Sequence, residues 1–126
     1  MTLYDARILE KSIDIVEERL KKLLKLSGYH IVYERNIEKK LERRANKNNK
    51  YRVIGVDPYF SYELTRIEEK VGLLLPFNIL LQEINDQKVE VSIINVEFTF
   101  STLGNARIFG VAAVIQSELD KIISSL

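Results

Sequence analysis

Residues 71–83 read Val-Gly-Leu-Leu-Leu-Pro-Phe-Asn-Ile-Leu-Leu-Gln-Glu: a glycine, an apolar run, a proline and a strand-like apolar segment. Within it Ile79, Leu80 and Leu81 are consecutive. Side chains on a strand alternate between its two faces, so this strand is apolar on both. A strand of that kind belongs at the centre of a covered sheet. The segments 78–84 and 88–95 flank Asn85-Asp86-Gln87 and read as a β-hairpin, in which Val89, Val91 and Ile93 alternate with Lys88, Glu90 and Ser92.

The remaining elements follow from periodicity and punctuation. Residues 3–10 read as a first strand. Ser12 is a good N-cap and Gly28 a good residue just beyond a helix C-terminus; between them Ile13, Val16, Leu20, Leu23 and Leu24 recur at helical spacing. Residues 29–34 alternate as a strand, with Tyr29, Ile31 and Tyr33 expected on one face and His30 and Val32 on the other. Residues 36–45 suit a short helix capped by Asn36, and 51–56 another strand. Asp57-Pro58 is expected to open a helix running to about residue 70, with Tyr59, Tyr62, Leu64 and Ile67 inward and Gly72 ending it. Residues 97–103 fit no single pattern. Asn105 caps a final helix to about residue 124, with Ile108, Val111, Ala112, Ile115, Leu119 and Ile122 as its main stripe. Phe109, Ala113 and Val114 widen that stripe, so the first half of this helix is expected to be largely buried, partly against a second subunit. The order β-α-β-α-β-α-β-β-α predicts one α+β domain spanning residues 1–126, with a mainly antiparallel sheet and helices packed on it.

Composition removes several classes of function. The chain has 126 residues, 46% hydrophobic and 29% charged, enough for one domain with its own core. There is no cysteine, which excludes disulfides, thiolate metal sites and cysteine nucleophiles and suits a reducing cytoplasm. The beginning lacks a basic region followed by an apolar core, so no signal peptide is read there, and no apolar run approaches the ~20 residues needed to span a bilayer. Abundant Lys, Glu and Ile with a single Met is a composition met in thermophiles.

Candidate chemistry is sparse. His30 is the only histidine, so a histidine-based metal site or dyad is excluded and no metal site is expected. It could serve as a general base, although a structural role on a strand is the commoner fate. Glu63, Glu68, Glu69 and Glu83 could pair for acid–base work, but adjacent residues on a helix point about 100° apart. Residues 35–52 hold eight cations against two anions in a chain of net charge +1. Lys39, Lys40, Arg43, Arg44, Lys47 and Lys50, with Tyr33 and Tyr51 nearby, would suit a phosphate backbone with bases stacked on the rings. They would equally meet an acidic partner or form a solvated helix and loop; a near-neutral chain favours the last. Tyr29, Tyr33, Tyr62 and Phe77 are the candidates for lining an apolar ligand cavity, against the alternative of ordinary core. No glycine-rich phosphate loop or nucleophile elbow is present.

From residue 51 onward the chain resembles the domain of unknown function 302 family. The resemblance rests on Arg52-Val53-Ile54-Gly55 followed by Asp57-Pro58, on Val71-Gly72-Leu73-Leu74-Leu75-Pro76, on the strand 89–95, and on Gly104-Asn105 opening the last helix. It implies a small fold like one repeat of the TATA-box-binding protein, and pairing as a homodimer. It implies no catalytic activity and no cofactor. Typical members carry a cysteine where the Leu-Leu-Leu-Pro run ends and often one before the strand-to-helix turn; this chain has Phe77 and Gly55-Val56-Asp57-Pro58 there. The reading that follows is a cytoplasmic, non-enzymatic domain that dimerises and takes a small apolar or amphipathic ligand. The alternative is a nucleic-acid-associated protein using the basic segment.

Overall fold

The computed structural model describes residues 2–37 and 49–126. Five strands, β1 (Tyr4–Leu9), β2 (His30–Asn36), β3 (Tyr51–Asp57), β4 (Phe77–Asn85) and β5 (Lys88–Ile94), form one sheet in the order β1-β5-β4-β3-β2. All four pairings are antiparallel. The helices are α1 (Ile13–Leu26), α2 (Ser61–Ile67), α3 (Val96–Ser101) and α4 (Phe109–Ser124), with 3-10 turns at Glu69–Leu73 and Ala106–Ile108. The expected α+β class and antiparallel sheet are therefore present. The ambiguous segment after β5 is a helix, capped by the Asn95 side chain, which accepts from the Phe98 N–H at 2.8 Å.

The apolar strand β4 lies in the middle of the sheet, as its composition requires. Register aligns Ile54, Ile79 and Ile93 in one cross-strand row, with Val56 beside Phe77 and Leu81 beside Val91. All seven are at most 3% exposed. Helix α1 lays Ile13, Val16, Leu20 and Leu24 into the same core, and α4 adds Ala112, Ile115, Leu119 and Ile122. Burying each large aliphatic side chain contributes roughly 1.5–3 kcal/mol. Ser12 caps α1 by accepting from the Ile15 N–H, and Gly28 takes φ of +83° beyond its end, where a side chain would be strained. Edge strand β1 is built differently: on the core side it carries Asp5, Arg7 and Leu9, placed opposite Ile93, Val91 and Val89.

Four local expectations are overturned. The strict alternation of Tyr29, Ile31 and Tyr33 fails because a bulge interrupts the pairing between Ile31 and Tyr33. Ile31 pairs with Val56 toward the core, whereas Tyr33 pairs with Gly55 on the opposite face. Asn36 ends β2 instead of capping a helix; the rest of that expected helix lies outside the described residues. The single helix expected from Pro58 to residue 70 is two elements. Its break is at Glu68, extended at φ −145° and ψ 104°, whose carboxylate accepts from the Lys70 N–H at 2.8 Å and starts the next turn. Asn105 secures the break: its side-chain N–H₂ donates to the Ile67 carbonyl at 3.1 Å and to Glu68 Oε1 at 3.3 Å, while its Oδ1 accepts from the Arg107 N–H. Gly72 lies inside the 3-10 turn. Finally, Tyr59 and Tyr62, expected inward, are 57% and 72% exposed; the burial expected for the first half of α4 involves a second subunit, and in the single chain Phe109 and Val114 are 48% and 52% exposed.

The Tyr33–Gly55 pair is a close approach. A Cβ built on Gly55 would lie 2.5–2.7 Å from the Tyr33 ring, so the ring occupies the space a side chain would fill. An aromatic ring laid over a glycine on the neighbouring strand restores the contact area that the glycine lacks.

Two stability outcomes follow. Gly55→Ala lowers unfolding free energy by about 1–3 kcal/mol in urea denaturation. In a Tyr33→Ala background the same change costs less, because the clash is gone. Asn105→Ala costs about 1–2 kcal/mol through the lost cap and the orphaned Ile67 carbonyl. Asn105→Asp recovers only part of this, because it keeps the acceptor and loses the donor.

Candidate functional site

Alternation gives the sheet a second face, and β4 presents Asn78, Leu80 and Gln82 to it. Register extends this face into rows. Val53, Leu80, Ser92 and Ala6 stand side by side, and so do Tyr51, Gln82, Glu90 and Ile8. Gly55 stands beside Asn78, and Tyr4 beside Ile94. Leu80 and Val53 are half-buried but do not join the core cluster. Ser92 is small and lies between larger neighbours, so the surface sinks there. The result is a hollow of about 370 Å³ lined by Leu3, Tyr4, Asn78, Leu80, Gln82, Glu90, Ser92 and Ile94. That volume lies in the range of small-molecule sites, and its lining is mainly apolar with a few polar groups.

The polar groups have assigned partners at one end. The Tyr33 hydroxyl donates to Asn78 Oδ1, which fixes the amide and leaves its N–H₂ as the remaining donor. Beyond Tyr33 the sheet places His30 opposite Asp57. His30 is exposed. Asp57 Oδ1 is buried without a hydrogen-bond partner. Burial raises the Asp57 carboxyl above its usual range, and the charge of His30 partly opposes that rise.

A larger depression of about 610 Å³ lies along α4, lined by Glu97, Gln116, Asp120 and Lys121 among others. Two of its polar side chains are committed to the fold: Gln116 Oε1 accepts from the Val96 N–H at 2.7 Å, and its N–H₂ donates to Asp120 at 3.0 Å. Among the described residues no group of three or more His, Asp or Glu side chains could hold a metal ion. No helix among them is long and apolar enough to cross a membrane.

The residues singled out from sequence are dispersed. Phe77 is 1% exposed on the core side, with its ring 5.7 Å from that of Phe100. Tyr29 is 2% exposed, edge-on to Tyr59 at 6.4 Å, and its hydroxyl is buried without a partner. Burial and the charge of Glu118 hold that phenol well above its usual range. Tyr62 is 72% exposed. Only Tyr33 reaches the open face, through Asn78. Of the basic set, Lys39, Lys40, Arg43, Arg44 and Lys47 lie outside the described residues. Lys50 pairs with Asp14 at 3.2 Å, and Arg52 with Asp14 and Glu17; Lys21 joins Glu17 and Glu34. The Lys50 hydrogen bond, foremost, holds the Asp14 carboxyl below its usual range. Glu68 and Glu83 accept backbone N–H groups of Lys70 and Lys50, while Glu63 and Glu69 are exposed. These four carboxylates therefore form no pair. Sequence reasoning missed Leu80, Ser92, Ile94 and Tyr4; their alternation was visible, but their meeting depends on register.

Asp57 and Asp14 carry opposite pH dependence. A depressed pKa, as at Asp14, contributes stability above the unfolded pKa that is lost as pH falls through the folded value. A raised one, as at Asp57, penalises the folded state above the unfolded pKa and ceases to do so in acid. The stability of Asp57→Asn relative to the unmodified protein therefore rises from about pH 3 to pH 7, and that of Asp14→Asn falls, in chemical denaturation at each pH.

The family model described as Domain of unknown function DUF302 matches residues 6–126. Among solved structures, the crystal structure of an uncharacterized conserved DUF302 protein from Bacillus stearothermophilus is similar, with a TM-score of 0.86, 13% identity and 98% of each chain covered. No curated protein matches. At that identity the structural likeness establishes the fold, and the family match extends over nearly all of the sequence: this chain belongs to the DUF302 family.

Proposed function

We propose that the protein is a binding module whose open sheet face takes a small amphipathic molecule. The observation that carries the reading is the 370 Å³ hollow on that face, apolar at Leu80, Ile94 and Tyr4 and polar at Asn78, Gln82 and Glu90. Exposed apolar surface concentrated in a concavity is characteristic of a ligand site, whereas scattered exposed side chains are not. The candidates named from sequence enter this reading through Tyr33, which orients Asn78. Homodimerisation, expected from the family resemblance, belongs to the same proposal, and the exposed Phe109 and Val114 on α4 give it an apolar strip away from the hollow. The setting proposed is the cytoplasm, in keeping with a cysteine-free chain.

Leu80→Asn weakens binding of a neutral amphipathic dye such as Nile red at least about fivefold, since burial of one large aliphatic side chain is worth roughly 1.5–3 kcal/mol. Val114→Asn, which removes an exposed apolar group elsewhere, leaves the affinity unchanged. Fluorescence titration of the two variants and the unmodified protein distinguishes them. Equal loss in both variants, or no saturable binding to the unmodified protein, overturns the reading.

A further inference from the structure

The geometry points to a cationic ligand: the hollow on the open sheet face selects an amphipathic amine, whose ammonium pairs with Glu90 while its apolar body lies across Leu80 and Ile94. This rests on the ligand-binding reading above and adds the charge of the ligand to it. Glu90 is the one charged side chain in the lining. It is half-buried, and among the described residues no side chain forms a hydrogen bond or ion pair with it.

Among the described residues, the cross-strand neighbours of Glu90 leave its charge uncompensated. Across the sheet it faces Gln82 on one side and Ile8 on the other, both uncharged. Lys88, on the same face two residues along β5, has its ammonium 3.4 Å from Glu10. That cation is thus directed to another carboxylate. A lone carboxylate beside apolar surface attracts a cation more strongly than it would in open water, because part of the screening solvent is displaced. The same carboxylate repels an anion and offers a neutral alcohol only a hydrogen bond. Tyr4, also in the lining, adds an aromatic ring on which a cation can rest. The hollow's volume excludes neither a ring nor a short alkyl chain, so charge is the property by which it discriminates.

Three probes of matched shape test this: 4-phenylbutylamine, 4-phenylbutanol and 4-phenylbutyrate, titrated against the protein at low salt. Binding is followed by the amide signals of Leu80, Ser92 and Ile94. The amine is expected to bind about fivefold to tenfold more tightly than the alcohol, with the carboxylate weakest. Glu90→Gln brings amine and alcohol within about twofold of each other, and Glu63→Gln, at an exposed carboxylate on α2, leaves the preference in place. Raising salt from about 20 to about 500 mM on the unmodified protein shrinks the amine's advantage, a readout independent of any variant. If the three probes bind alike, or the carboxylate binds best, the charge selectivity is overturned and the ligand-binding reading stands. If none moves those signals at millimolar concentration, both are overturned.

Discussion

The register of β4 against its two neighbours is the constraint on which the rest of the molecule depends. Pairing Ile79 with Ile54 and Ile93 turns three isoleucines toward the helices. It also turns Leu80 the other way. A slip of one residue would exchange the two sets, removing the core row and exposing it. Because β4 is apolar on both sides, hydrophobicity alone does not choose between these arrangements. The neighbours choose: β5 alternates cleanly, with Val89, Val91 and Ile93 against Lys88, Glu90 and Ser92, and a short turn ties it to β4. The core and the open face are thus two results of one pairing decision made in the hairpin.

That dependence explains what was legible in the sequence. Element types were readable wherever one strand or helix carries its own period, as in α1 and β5. The central place of β4 was readable from Ile79-Leu80-Leu81. The bulge in β2 was not, because Tyr29, Ile31 and Tyr33 look like ordinary alternation; the interruption becomes intelligible only when Tyr33 is seen to need the space above Gly55. The break at Glu68 was hidden for a similar reason. Local helix propensity runs through it, and the group that stabilises the break, Asn105, is 37 residues away. The hollow was the least accessible, since it exists only where Leu80, Ser92 and Ile94 are brought side by side from two strands. An aromatic inventory pointed to Phe77 and Tyr29, and the core has claimed both.

The charged residues show a comparable division between local reading and tertiary outcome. A run of cations near residue 50 looks in sequence like an offered surface. In the fold Lys50 and Arg52 meet Asp14 and Glu17 on the exposed side of α1, and Lys21 links the same group to Glu34 on β2. These pairs join helix to sheet across two strands. Ion pairs this close to solvent are each worth little, although a shared network fixes relative orientation better than an isolated pair.

The composition of β1 has a consequence for how such a protein can exist at high concentration. An edge strand next to an uncovered, partly apolar face is the usual starting point for strand-to-strand growth into aggregates. Here the core side of that edge carries Asp5 and Arg7. A foreign strand added at this edge would have to bring its own core-facing residues beside those charges. The β1 edge thereby resists extension by another strand, while the face beside it stays open to contact from above.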